Sequence, residues 1–261
     1  MFRNLYHEIK AHQDLKKEVL QFSVLSILYF VLYTLLSAFL GMFNHDALTV
    51  AVFWVLNLIS TYVYMRFFFQ MIARSRDEER VVGLMPCLRM LVIESVMFAL
   101  SVLMYYAFVC FIELYLLLAL ISYVYLFFCV AFQLFCFYEI YEGTGGFLKV
   151  VTSALRQMGR HGREVVAACA MLCIGYILLY VLSVGIEGTV AVLAPYTAML
   201  NIGVTMNRWM EVCSVLLNMI MTQTFDLVYA GFLAVQLLAA VIFSILYVLW
   251  MGWICVIRQR Q

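Results

Sequence analysis

The chain has 261 residues, 67% of them hydrophobic and 12% charged, with a formal net charge of +1 and a mean hydropathy of +1.02. A soluble domain is roughly half apolar and about a quarter charged. So few charges cannot cover a water-facing surface, which excludes a soluble globular fold, a disordered chain and a nucleic-acid-binding surface; the implied solvent is a bilayer.

Residues 1–18 predict an N-terminal interfacial helix, with Phe2, Leu5, Tyr6 and Ile9 on one side. A membrane-spanning helix needs about 20 apolar residues, and six runs qualify: 19–41, 49–72, 90–111, 114–139, 164–186 and 229–256. Run 19–41 exceeds the roughly 7–15 residues of a signal-peptide core, so it reads as a retained helix. None of the runs has the roughly ten-residue alternation of barrel strands. The fold class expected is therefore an all-α polytopic membrane protein of six transmembrane helices, a single transmembrane domain over residues 1–261.

The cations set the orientation. Of the 16 Lys and Arg, all but Arg208 lie before span one, at or between the ends of spans two and three, between spans four and five, or after span six. Cations in short loops stay on the cytoplasmic side during insertion, so both termini are expected there. Asp46, Glu113, Glu187, Glu211 and Asp226 fall on the outer side.

The connections differ in kind. Outer loops 42–48 and 112–113 are short and predict tight hairpins. Segment 81–89 reads as an inner interfacial element broken by Pro86. Segment 147–158 reads as an amphipathic helix in the headgroup layer. Phe147, Leu148, Val151, Leu155 and Met158 form its apolar face, and Lys149, Thr152, Ser153, Arg156 and Arg160 its polar one. The outer segment 187–228 predicts re-entrant or surface-lying helices. An eight-span alternative would bury Glu211, Gln223 and Asp226 in or near one span.

Ionisable residues inside spans point to function by default. Arg66 and Glu94 qualify, near the same end of consecutive helices, and predict an intramembrane ion pair. The alternative is that Arg66 snorkels outward and Glu94 faces water. Asn57, Ser60, Thr61 and Tyr64 form a polar stripe at helical spacing. Such a stripe lines a hydrated path or, more often, joins helices by hydrogen bonds; Gln133 and Gln236 read the same way. Tyr105, Tyr106, Trp250 and Trp253 suit interfacial aromatic belts. Arg74, Arg76, Arg80, Lys149, Arg156, Arg160 and Arg163 are candidate contacts for anionic lipid headgroups or a cytoplasmic partner.

The eight Cys include no Cys-x-x-Cys, and most lie inside apolar runs, where Cys behaves as a small hydrophobe. Cys169 and Cys173 are one helical turn apart and read as packing. His7, His12, His45 and His161 lie outside the spans and form no ligand set. The chain has no His-Glu-x-x-His, Gly-x-Ser-x-Gly, Gly-x-x-x-x-Gly-Lys or Gly-x-Gly-x-x-Gly motif. The expectation is a protein without enzymatic activity, cofactor or metal.

The stretch Phe137-Tyr138-Glu139-Ile140-Tyr141-Glu142, followed by Ala154-Leu155-Arg156-Gln157-Met158-Gly159 and span five, resembles the polytopic membrane domain attached to some glycerophosphodiester phosphodiesterases and related uncharacterised bacterial membrane proteins. Those carry an "Ala-Leu-x-x-Ser" helix, whereas Gln157 or Met158 stands near the Ser position here. Their catalytic barrel is not within these residues, so their chemistry is not carried over. The topology is similar to ABC export permeases of the drug and polysaccharide type. That resemblance implies that Arg74 to Arg89 contacts a separate ATPase. The functional expectation is a non-catalytic transport component, an export-type permease. The alternative is a membrane-organising or lipid-sensing accessory protein with no transport path. Expected partners are the bilayer, anionic headgroups and a cytoplasmic ATPase or a second copy. The expected location is a cell membrane, of bacterial cytoplasmic type.

Overall fold

A computed structural model of the chain describes residues 15–40, 46–78, 82–110, 115–171, 174–175, 178, 209–223 and 227–259. Among the described residues the regular structure is helical, with no strand. Helix α1 is Leu15–Leu40, α2 Asp46–Ser75, α3 Leu84–Cys110, α4 Tyr115–Tyr141 and α5 Phe147–Arg160. Residues 162–171 form α6, followed by α7, Trp209–Thr222, and α8, Leu227–Gln259. Four helices are long and apolar enough to cross a bilayer, over Lys16–Leu36, Val50–Ser75, Leu84–Leu103 and Leu227–Cys255. Phe128–Tyr141 of α4 and Val212–Thr222 of α7 are shorter apolar stretches. This pattern is compatible with a multi-pass membrane protein. In hydrocarbon a helix is favoured because it satisfies its own backbone.

Several helices run past their apolar cores. Helix α2 continues through Arg74, and α3 starts at Leu84. Segment 81–89 is therefore not a separate interfacial element. Residues 84–89 are the start of α3, with Pro86 in the first turn, where a missing N–H breaks no helical hydrogen bond. Likewise Leu15 to Glu18 belong to α1, and residues 1–14 of the expected N-terminal helix lie outside the described residues.

Successive helices are antiparallel neighbours. Ser26 of α1 is level with Tyr64 of α2, Trp54 of α2 with Ser95 of α3, and Met97 of α3 with Tyr125 of α4. Helix α8 closes against α1, α2 and α4, with the rings of Phe22 and Tyr247 5.0 Å apart. The core is rich in aromatics: Phe22, Tyr64, Phe68, Phe135, Phe137, Tyr141, Phe243 and Tyr247 are all buried. Trp250 and Trp253 belong to this core too, not to a belt at the surface, because the last turns of α8 are enclosed by their neighbours. Tyr106 is exposed as a belt residue would be.

The exposed and buried sets reverse the order of a soluble protein. Leu20, Val24, Leu28, Val31 and Leu35 of α1 face outward, as do Leu88, Val92, Val96, Leu100 and Leu103 of α3. Inside lie Ser26, Asn57, Ser60, Thr61, Glu94, Gln133, Gln236 and Ser244. Each outward row repeats every three or four residues, one helix face. Lipid accepts such a face at no cost, whereas it penalises exposed polar groups.

Residue 209 starts α7 halfway along α8: the Trp209 indole donates to the Ser244 hydroxyl at 3.1 Å. Helix α7 packs on both α1 and α8. At about 1.5 Å per residue, its 14 residues reach only part of the way across. It therefore packs alongside the first half of α8. Residues 187–208 and 224–226 lie outside the described residues. Gly175, beyond α6, lies beside Phe243, and a Cβ there would sit 3.8 Å from the ring.

Candidate functional site: a polar seam and a charged collar

The seam begins with the α2 stripe. Asn57, Ser60, Thr61 and Tyr64 are all buried and turned toward neighbouring helices. The Tyr64 and Ser26 hydroxyls share a hydrogen bond of 2.9 Å between α2 and α1. Ser60 is hydrogen-bonded to Tyr29 of α1, and Thr61 to the Glu94 carboxyl of α3. Gln133 of α4 donates its amide N–H to Glu94 Oε2. The seam thus joins α1, α2, α3 and α4.

The Arg66–Glu94 ion pair expected from sequence does not form. Arg66 donates to the Val82 carbonyl at 2.8 Å and lies beside Cys87. Glu94 takes Gln133 and Thr61 instead. Register is the reason. Arg66 is level with the first turn of α3, and Glu94 stands seven residues past Cys87, about 10 Å deeper at about 1.5 Å per residue. Nor does Glu94 face water, since it is 2% exposed.

At one end of the bundle the charges meet in a collar. Arg74 lies 3.6 Å from Glu18 of α1 and donates to Gln21. Arg76, in the turn after α2, pairs with Glu142 at 2.5 Å and donates to the Tyr138 hydroxyl. Its guanidinium also sits 5.5 Å from the centroid of the Tyr138 ring and 5.9 Å from that of Tyr141. Burial pulls the Arg76 pKa down. The hydrogen bond to Glu142 and the neighbouring Tyr138, Glu142 and Glu78 outweigh it and leave the pKa above the ordinary value. Arg89 donates to the Thr144 carbonyl at 2.9 Å, and the Thr144 hydroxyl to Glu139 at 2.9 Å. The collar therefore ties α1, α2, α3 and α4 together.

These partners change the reading of the candidate cations. Arg74 and Arg76 are engaged within the fold. Arg80 lies outside the described residues. Lys149, Arg156, Arg160 and Arg163 are exposed.

Helix α5 carries most of them. The turn leading into it has positive φ at Gly143 and Gly146, backbone that favours glycine. Its buried residues are Val150, Ala154, Gln157 and Met158, packed toward α4. Only Met158 of the expected apolar face belongs to that buried set, and Val151 is half-buried. Leu148 and Leu155 are exposed. The helix thus has three arcs at 100° per residue: one against the bundle, one apolar and outward, and one with Lys149, Arg156 and Arg160. Two-face amphipathicity misses the middle arc, because burial by protein and burial by lipid call for the same residue types.

His161 Nδ1 lies 3.1 Å from Glu164 Oε2. Cys87, Cys110, Cys129, Cys136, Cys213 and Cys255 are free thiols; Cys173, His7, His12, His45 and Arg208 lie outside the described residues. Glu18 is not named from the sequence, and Tyr138 and Glu139 enter there only through the resemblance, not as site residues. Their signal was position: acids and tyrosines at span ends, where arginines of adjoining spans also end. No family model, curated protein or solved structure matches the chain.

Proposed function

We propose that the chain is a non-catalytic, membrane-organising protein that holds anionic lipid headgroups along α5 and has no transport path through its polar seam. The reading takes six crossings, with α4 and the segment beginning at α6 as the two spans beyond the four long apolar helices. It takes both termini as cytoplasmic and a bacterial cytoplasmic membrane as the location. One observation carries it: Ser60, Thr61 and Tyr64, from the stripe that could have lined a wet path, are buried and bonded to neighbouring helices, while the α5 cations are left facing out. Headgroup attraction is worth roughly 1 kcal/mol per cation near the surface. The test is native mass spectrometry of protein extracted in mild detergent. Wild type is expected to retain anionic phospholipid in preference to zwitterionic. The triple variant Lys149→Glu, Arg156→Glu, Arg160→Glu should lose that preference with its thermal stability unchanged. Equal retention by both would refute the reading.

A second reading, an export-type permease driven by a separate ATPase, draws on α7. Half-length helices at bundle depth are a feature of transporter sites. Against it, Arg74 and Arg76, in the region that the permease topology assigns to ATPase contact, are bound internally. An ATPase that co-purifies stoichiometrically would favour this second reading.

A further inference from the structure

We infer that Glu94 and Gln133 form a proton-holding site in the interior of the bundle: Glu94 is present as the neutral acid, hydrogen-bonded in a ring with the Gln133 amide. The acid is 2% exposed and the amide 1%. Gln133 donates its N–H to Glu94 Oε2. Its own Oε1 is buried with no hydrogen-bond partner. Among the described residues, no Lys, Arg or His forms an ion pair with Glu94.

Those facts fit one protonation state. An ionised carboxylate is acceptor-only. It could accept the amide N–H but would leave Gln133 Oε1 orphaned, and it would place an uncompensated charge in a low-dielectric interior. A neutral acid has one O–H to give. A carboxylic acid and a primary amide can then close a ring of two hydrogen bonds, N–H to carboxyl oxygen and carboxyl O–H to amide oxygen. The second bond supplies the partner that Oε1 lacks. Thr61 completes the surroundings with its bond to the same carboxyl. The titratable groups near Glu94 are Tyr29 of α1 and Tyr125, Cys129 and Cys136 of α4. None of these offers a cation. The ligand of this site is a proton, and holding it fastens α3 to α4. This goes beyond the lipid-binding reading and does not depend on it.

The test is infrared spectroscopy of the purified protein at mildly alkaline pH, where exposed carboxyls are ionised. Wild type is expected to show the C=O band of a protonated carboxylic acid. Glu94→Gln, which preserves shape and can pair amide to amide, should abolish the band and keep the fold. Glu139→Gln, which alters another buried acid, should leave it. Gln133→Leu should shift the band upward in frequency as the acid loses its partner, a readout that stands even if Glu94→Gln does not fold. A wild-type spectrum without that band overturns the inference, whether the carboxylate is balanced by water or by a bound cation. So does a band that survives unchanged in Glu94→Gln or in Gln133→Leu.

Discussion

Arg76, in the turn that follows α2, and Glu142, just past the end of α4, are joined at 2.5 Å across 66 positions of sequence. The pair links the α1–α2 hairpin to the α3–α4 hairpin. It is backed by Tyr138 and Tyr141, whose rings flank the guanidinium. Arg76→Ala is therefore expected to cost about 2 kcal/mol, from charge-assisted hydrogen bonds and cation–π contact that are only partly screened. Arg76→Lys should recover only part, because both hydrogen bonds leave the far nitrogen Nη2, which the shorter lysine side chain does not reach in the same place, and an ammonium lacks the planar guanidinium that lies against the Tyr138 and Tyr141 rings. The measurement is thermal unfolding in mild detergent; equal melting of all three proteins would mean that the collar contributes nothing.

The Tyr64–Ser26 bond gives a quantitative check on the seam. Hydrogen bonds between membrane helices are worth roughly 0.6–2 kcal/mol. A double-mutant cycle of Tyr64→Phe and Ser26→Ala is expected to return a coupling of about 1 kcal/mol. Additive single effects would show that the two hydroxyls do not sense each other.

Arg66 and Glu94 sit about two turns apart in depth, each with other partners. Exchanging them, Arg66→Glu with Glu94→Arg, should not restore the folded yield that the Glu94→Arg change removes. It would bury a guanidinium about two turns away in depth from the exchanged carboxylate, a charge without a counter-ion in the interior. Rescue by the exchange, read as monodisperse protein on size exclusion, would bring back the ion pair that residue spacing alone suggests.

Much of the helical plan was legible because bilayer thickness sets a length that hydropathy measures directly. The runs 19–41, 49–72 and 229–256 lie almost wholly within α1, α2 and α8. Segment 147–158 became α5 with two further residues. Depth was less legible. Whether Arg66 meets Glu94 depends on how far α2 continues before the turn, and Arg74 and Ser75 look like loop residues until Glu18 and the Ile72 carbonyl are seen to receive them. Partnership was the least legible. Gln133 and Glu94 are 39 positions apart, and no local pattern brings them together. The third arc of α5 was hidden for a related reason: Val150 and Leu148 have similar chemistry, yet one faces protein and the other faces outward.

In the proposed topology the cations stay on one side as the chain enters the bilayer, so that it crosses six times with the collar of Arg74, Arg76 and Arg89 cytoplasmic. The most direct measurement is a pair of topology reporters, one fused after Gln261 and one inserted next to Gly188, in otherwise full-length protein. The account predicts opposite sides, with Gln261 cytoplasmic and Gly188 external. Both reporters on one side would contradict it.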